Sequence, residues 1–364
     1  MTRPLTRDAI DIWTSAVHAV DSKMLVQQQI TRDADRLTIA GREFSLRSLG
    51  RIVVVGTGKA GAGMAAGVEA AIGEDALERL EGWVNVPADC VRELQRIHLH
   101  AARPAEVNEP TTEGVAGARK ILQLVAGLQD NDVCLVLISG GGSALLPAPV
   151  DGVSLEDKQA VTRLLMHGGA TINELNCVRK QLSQIKGGGL ARAARRGTVI
   201  SLIISDVIDD PLDVIASGPT VDDPSTAAQA LAVLERIVGD QSRIPAAVRD
   251  FLTESDRATE QDAPIDARRV VNRVIGNNAV AVAAAESRAR ELGYSINNSG
   301  CGMAGVAAEL GRDLADQCIS IRAQQNADAA PICILSGGEP IVHLAETDQP
   351  RKGGRNQELV LAAI

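Results

Sequence analysis

The stretch RIVVVGTGKAGAGMAAGVE, Arg51 to Glu69, decides how the chain is read. An apolar run, the turn Gly56-Thr57-Gly58-Lys59-Ala60-Gly61 and a small-residue helix form a strand–turn–helix unit. Alone, that is the pattern of a dinucleotide-binding turn. A dehydrogenase built on it closes the second strand with an acid, about 20 residues on, that holds a ribose. Here the second strand reads as Trp83–Val86 and runs into Pro87 and Asp89, while Glu78 and Glu81 precede it. Lys59 instead sets a cation at the positive end of the following helix. Three readings of the turn stay open: packing alone, an anion site with Lys59 on the ligand, and a nicotinamide site.

Working outward, apolar positions Ile10, Trp13, Val17, Val20, Met24 and Leu25 give residues 6–30 a helical spacing. Downstream, short apolar runs (GWVNVP, RIHLHAA, VCLVLI, TVISLII) alternate with helical stretches, which means βαβ units. The polar, proline-bearing stretch from Gly239 to Arg268 separates a second set that starts at VVNRVIGNN. The expected architecture is α/β: a Rossmann-like, doubly wound, mostly parallel sheet in residues 1–245, and a smaller α/β domain in 246–364. VLISGGGSALL and CILSGGEPIV echo each other, each an apolar strand ending in Ser-Gly-Gly. Such strand ends are where open α/β sheets bind ligands.

Composition narrows the function. Only 1% of the 364 residues are aromatic, so Ala, Val, Leu and Ile must fill the core, as they do in helix-covered parallel sheets. A net charge of -9 and few aromatic platforms argue against a nucleic-acid partner, while a small anionic substrate in a local basic pocket stays open. The six cysteines have no C-x-x-C spacing and read as free thiols. No run reaches the roughly 18 apolar residues of a membrane span, and the N-terminus lacks a signal-peptide core, so a cytoplasmic protein with no membrane partner is expected. His98 and His100 lack a third ligand at metal spacing and read as structural.

Five blocks carry chemistry. The Gly56 turn is one, with Gly56, Gly58 and Lys59. In SGGGS, Ser139 to Ser143, the amides of Gly140, Gly141 and Gly142 can form an anion nest to which the two hydroxyls add donors. NCVRKQLSQIKGGG places Asn176, Arg179, Lys180 and Lys186 beside a second triple glycine. SDVIDDPLD sets Asp206, Asp209, Asp210 and Asp213 after a strand, where Asp206 suits a hydroxyl-proton acceptor or Mg²⁺ ligand. Ser336-Gly337-Gly338-Glu339 and KGGRNQE offer a further glycine turn and Arg355, whose guanidinium suits bidentate phosphate contact. Together they describe phosphoryl transfer, which needs positioned charge more than covalent chemistry.

VVVGTGKAGAGMA, LISGGGSALLPAP, NCVRKQLSQIKGGGLA, ISDVIDDPLDVIASGPT, ILSGGEPIV and GGRNQELVLA, in this order, resemble the glycerate 2-kinases of the MOFRL family, whose members are often labelled hydroxypyruvate reductase. The resemblance implies ATP- and Mg²⁺-dependent phosphorylation of D-glycerate at its 2-hydroxyl, giving 2-phosphoglycerate. It implies Lys59 as an active-site cation and Arg355 as a phosphate or glycerate ligand. An NAD(P)H-dependent reductase is the alternative, and the sequence leaves a homodimer open. There are departures. Asp209 stands where many relatives have Gly, and HAARPAEVNEPT, His100 to Thr111, replaces an H-P-x-P-D-like segment. The relatives' G-T-D-G-x-D-G-P segment does not follow Ile364, so a truncated, catalytically impaired form that still binds glycerate or nucleotide is a third expectation.

Overall fold

The computed structural model describes residues 5–254, 264–326, 329–343 and 354–364. Its strands are β1 (Ile30–Asp33), β2 (Arg36–Ile39), β3 (Arg42–Ser45), β4 (Ile52–Thr57), β5 (Leu80–Pro87), β6 (Ile97–Arg103), β7 (Val133–Ile138), β8 (Thr198–Ile204), β9 (Val270–Gly276), β10 (Ser295–Asn298) and β11 (Ile332–Leu335). Six of them form one sheet in the order β6-β5-β4-β7-β8-β9. Strand β4 runs parallel to both β5 and β7, and β5–β6 and β7–β8 are parallel as well. The two central strands, IVVVGT and VCLVLI, are buried along their whole length. That explains their unbroken apolar runs: helices cover both faces and leave no polar side to encode.

The crossover helices start where their caps say. Thr111 caps Thr112–Ala126, and Ser154 and Thr171 close capping boxes on Leu155–His167 and Ile172–Gln181. The latter two helices join Ala227–Val238 and Ala246–Glu254 around Val161, Leu165, Val178, Leu234, Val248 and Leu252. Among the described residues no helix is long and apolar enough to cross a membrane, and all six cysteines are free, Cys134 buried within β7.

The chain divides into two compact units, and the division differs from the expected 1–245 and 246–364. The larger unit holds 21–205 and 210–275; the smaller gathers the described residues of 1–20, 206–209 and 276–364. Two packing facts move the boundary. Helix Ala246–Glu254 buries Val248 and Leu252 in the larger core, and β9 is the last strand of the six-stranded sheet rather than the first of a new one. The single helix expected over 6–30 is also two, Leu5–Ala19 and Ser22–Gln29, the second capped by Asp21.

Within the smaller unit, Leu5–Ala19 packs on helix Asn278–Glu291 through Ile12 against Ala285 and Ala289. Arg288 pairs with Asp11 at 2.7 Å, and the Tyr294 hydroxyl donates to Asp8 at 3.0 Å. Strands β10 and β11 form a two-stranded parallel sheet. In the larger unit β1–β3 make an antiparallel meander that the sequence did not announce, turned at Ala40–Gly41 with φ of 50° and 83°.

Candidate active site

Strands β4 and β7 are parallel neighbours, so the loops after them emerge side by side. The glycines of the first loop serve that proximity. A methyl group on Gly56 would lie 2.5 Å from the Leu137 carbonyl oxygen, and one on Gly58, whose φ is +128°, would lie 2.2 Å from Ser139 Oγ. The Lys59 amide donates to the Gly140 carbonyl at 3.0 Å, the Ser139 amide to the Thr57 carbonyl at 3.0 Å, and Thr57 Oγ1 to the Gly142 carbonyl at 3.1 Å. The Ala60 amide donates to Ser139 Oγ at 3.0 Å, so that hydroxyl helps fix the start of helix Gly61–Ile72. Gly56 and Gly58, expected on phosphate, are therefore taken up by packing one loop on the other. The dinucleotide-like spelling of the first loop records a tight neighbour.

The second loop presents Ser143 to a group of cations. Lys186 Nζ donates to the Ser143 carbonyl at 3.0 Å and to its hydroxyl at 2.6 Å, and Arg179 Nη2 also donates to that hydroxyl. Burial, together with the charges of Arg179 and Lys158, holds the Lys186 ammonium well below the usual lysine value. Lys158, whose Nζ donates to the Leu182 carbonyl at 2.7 Å, is pushed down to about 7 by burial first and Arg179 second. Burial also lowers Arg179. Among the described residues no carboxylate pairs with any of the three. Gathered like charges without a counter-ion are unfavourable in the empty protein, and an anion relieves them. The arrangement can hold a carboxylate or a phosphate.

Behind Ser143 lies Ser217. Its hydroxyl is 3.1 Å from Ser143 Oγ, within 3.5 Å of Lys186 Nζ, and donates to Asn176 Oδ1 at 3.5 Å. Ala216, Ser217 and Gly218 have φ of 51°, 62° and 60°, three left-handed residues in a row. For non-glycine residues each costs about 1–3 kcal/mol and persists only where its surroundings fix it. The second triple glycine does so, because the amides of Gly187 and Gly188 donate to the carbonyls of Ser217 and Gly218 at 2.9 and 2.7 Å.

The other expected residues separate. Lys180 turns away from the group: it lies 3.4 Å from both Asp213 and Asp223, and the Lys180 and Asp223 side chains are each only 6% exposed. It is a buried ion-pair lysine, not a free ligand. Buried Asn176 reaches the site only through Ser217. Lys59 is exposed, on the first loop. Asp206 follows the end of β8, exposed, and groups with the smaller unit. Asp209 has φ of +64°, in the left-handed region that glycine adopts without cost. In the smaller unit, Gly338 passes so close to Met303 that a methyl group would fall 2.0 Å from its carbonyl oxygen, and Gly337 packs on Asn278. Ser336 Oγ contacts Met303 Sδ, and Arg355 pairs with Glu339. Lys352 and Gly353 of the KGGRNQE block lie outside the described residues. Among the described residues no three His, Cys, Asp or Glu side chains gather as a metal group.

Two residues of the site escaped the sequence reading. Lys158 gives no local signal, since it follows a capping box like any helix lysine. Ser217 carried a signal, the small-residue run Ala-Ser-Gly before Pro219.

Comparison with known proteins gives the family. Residues 8–253 match the family model described as "Domain of unknown function (DUF4147)". A glycerate kinase of Mus musculus is 37% identical over an alignment covering 98% of this chain and 76% of that protein. The chain belongs to the glycerate kinase family. A family member from Pyrococcus horikoshii, a glycerate 2-kinase, is 34% identical, with 96% of this chain and 76% of that protein covered. The solved glycerate kinase of Thermotoga maritima superposes with a TM-score of 0.80 at 32% identity, covering 99% of this chain and 79% of that one. The α/β architecture with its six-stranded parallel sheet is thus the fold of the glycerate kinase family, and the matched residues 8–253 include Lys59, the SGGGS loop and the cations around Ser143.

Proposed function

We propose that this chain transfers the γ-phosphoryl group of ATP to the 2-hydroxyl of D-glycerate, giving 2-phosphoglycerate and ADP. The observation that carries the assignment is the pair of cations on Ser143, buried Lys186 and half-buried Arg179, with the charge of half-buried Lys158 felt by Lys186, a site for a small anion in a chain of net charge -9. Membership of the glycerate kinase family supports the acceptor, and the P. horikoshii protein's name supports the 2-position.

In this scheme these cations and Ser143 bind the acceptor's carboxylate and orient its hydroxyl. Lys59, with the amides of the SGGGS loop, balances the charge that spreads over the transferred group. Arg355 contributes as a phosphate or glycerate ligand, with the Ser336–Glu339 turn beside it, on the strength of the family blocks. The hydroxyl oxygen forms a bond to the γ-phosphorus as the bond to the β–γ bridging oxygen breaks. The hydroxyl proton passes to a base, for which Asp206 is the choice, and ADP leaves. A Mg²⁺ ion arriving on the nucleotide would take Asp206 as its protein ligand and would supply charge neutralisation, since among the described residues no group of three ligating side chains is preformed to hold one alone. The nicotinamide alternative is the less favoured reading: strand β5 closes on Pro87 rather than on an acid, and Gly56 and Gly58 are taken up by the neighbouring loop.

The test is ADP release from ATP with D-glycerate and a panel of sugar acids, with enolase coupling to identify the 2-phosphate. Parallel cuvettes contain hydroxypyruvate and NADH without ATP. NADH loss there, or no ADP release with any acid, would reject the assignment.

A further inference from the structure

Another cation meets the SGGGS loop at Gly141 rather than at Ser143. Strand β6 ends in Arg103, which is only 3% exposed. Its Nη1 donates to the carbonyls of Pro104 and Ala105, each at 3.3 Å, and of Val107. Those neutral acceptors fix the guanidinium in place without offsetting its charge. Its Nε is buried with no hydrogen-bond partner, and among the described residues no carboxylate pairs with it. The free Nη2 points at the loop: a methyl group built on Gly141 would lie 3.7 Å from it and 3.3 Å from Lys59 Cε. Gly141 has φ of +78°, and the bare face it presents is shared by the two cations. The amides of Gly140 and Gly141 donate to no group among the described residues.

An arginine cannot shed its proton when buried, so an unpaired guanidinium at this depth is strongly unfavourable unless an anion completes it. Arg103 Nη2 and the Lys59 side chain therefore meet at the open face of Gly141, on a loop whose Gly140 and Gly141 amides have no acceptor among the described residues, and the orphaned Nε lies on the same guanidinium. Beside it opens a cavity of about 460 Å³, lined in part by Lys23, Lys59, Asp89, Cys90 and Arg92, at the N-terminus of helix Gly61–Ile72. The field of Arg103 reaches that cavity: burial and Asp89 raise the Cys90 thiol, and Arg103 and Arg92 act against them.

We propose that Arg103 is a catalytic residue that, with Lys59 and the amides of Gly140 and Gly141, binds the phosphoryl group in transfer, leaving the Ser143 cations for the acceptor. The assignment of the two anions rests on the phosphotransfer scheme above. The anion site itself does not.

Titration calorimetry with inorganic pyrophosphate, which needs neither glycerate nor turnover, separates the two. Arg103→Gln is expected to weaken pyrophosphate about 10- to 100-fold at fixed salt, with Arg103→Lys recovering part of the loss. Because Arg103 also pins residues 104–107, Arg103→Gln is paired with Lys59→Met, which changes only an exposed side chain. Combining Lys59→Met with Arg103→Lys is expected to depart from the product of the single effects by at least about threefold, as two groups on one anion do. Folded Arg103→Gln or Arg103→Lys protein that binds pyrophosphate like the wild type, or strict multiplicativity in the double variant, would overturn the proposal. Arg103-dependent pyrophosphate binding in a protein that phosphorylates no acid would instead remove the phosphotransfer scheme and leave the site standing.

Discussion

Replacing Lys186 by Met should push stability and activity in opposite directions. Lys186 is 4% exposed and feels the charges of Arg179 and Lys158, with no carboxylate among the described residues paired to offset it. Removing it forfeits its hydrogen bonds to Ser143, at about 1 kcal/mol net each, while Arg179 continues to donate to the hydroxyl. It also removes a buried like-charge repulsion. Exchanging buried ions for apolar side chains of similar volume is commonly neutral or stabilising by about 1–4 kcal/mol. The expected balance is a folding free energy unchanged or raised by up to about 2 kcal/mol, a few degrees in Tm for a chain of this size. Turnover, in contrast, loses a preorganised donor and should fall by about 10²–10³. The sign with pH follows from the depressed lysines. Below its folded-state pKa each carries the full burial penalty, and above the ordinary 10.5 it carries none, so wild-type stability gains relative to the variant as pH rises. The gap between Lys186→Met and wild type should narrow as pH rises from below the depressed Lys186 value towards 10.5. Denaturation midpoints across that range and ADP release at one pH suffice. A variant more than about 2 kcal/mol less stable that turns over normally would make Lys186 an ordinary structural lysine and refute the reasoning.

Three further outcomes are expected. Lys180→Ala leaves the buried Asp223 carboxylate without its cation, held only by hydrogen bonds from Ser225 and Gln181, and should lower stability by about 3 kcal/mol in urea titrations; an unmoved midpoint with lost glycerate affinity would restore the substrate role expected from the sequence. Gly58→Ala drives a methyl group into Ser139 at a φ of +128° and should cost about 1–3 kcal/mol together with activity, whereas a stable, fully active variant would show that the two loops do not depend on each other. Ser217→Ala keeps the left-handed backbone but deletes the hydroxyl shared by Ser143 and Asn176. Its midpoint should stay within about 1 kcal/mol while turnover falls tenfold or more, and undiminished turnover would remove Ser217 from the site.

What the sequence discloses depends on whether a feature is local. The strands β4 and β7 and the helices after Ser154 and Thr171 were legible because burial on two sides and capping boxes are written within a dozen residues. The meander β1–β3 was missed because Ala40–Gly41 fills a turn usually marked by Asn-Gly or Asp-Gly. Strand β9 was recognised as a strand but assigned to the wrong unit, since only pairing decides which sheet a strand joins. Lys180 and Lys186 look equivalent in NCVRKQLSQIKGGG, yet one meets Asp213 and Asp223 and the other Ser143. No spacing rule separates them, because their partners lie tens of residues away.

The uncompensated cations at Ser143 bear on how the protein should be handled at the bench. Sulfate, citrate and inorganic phosphate are multivalent, compact and present at millimolar levels in many purification and melting-curve buffers. Each satisfies the same cations, so each will raise the melting temperature by mass action and compete with substrate. A buffer screen ranked by thermal stability would select the solutions in which the enzyme is most thoroughly inhibited. Chloride salts of a zwitterionic buffer are the medium in which its kinetics should be measured.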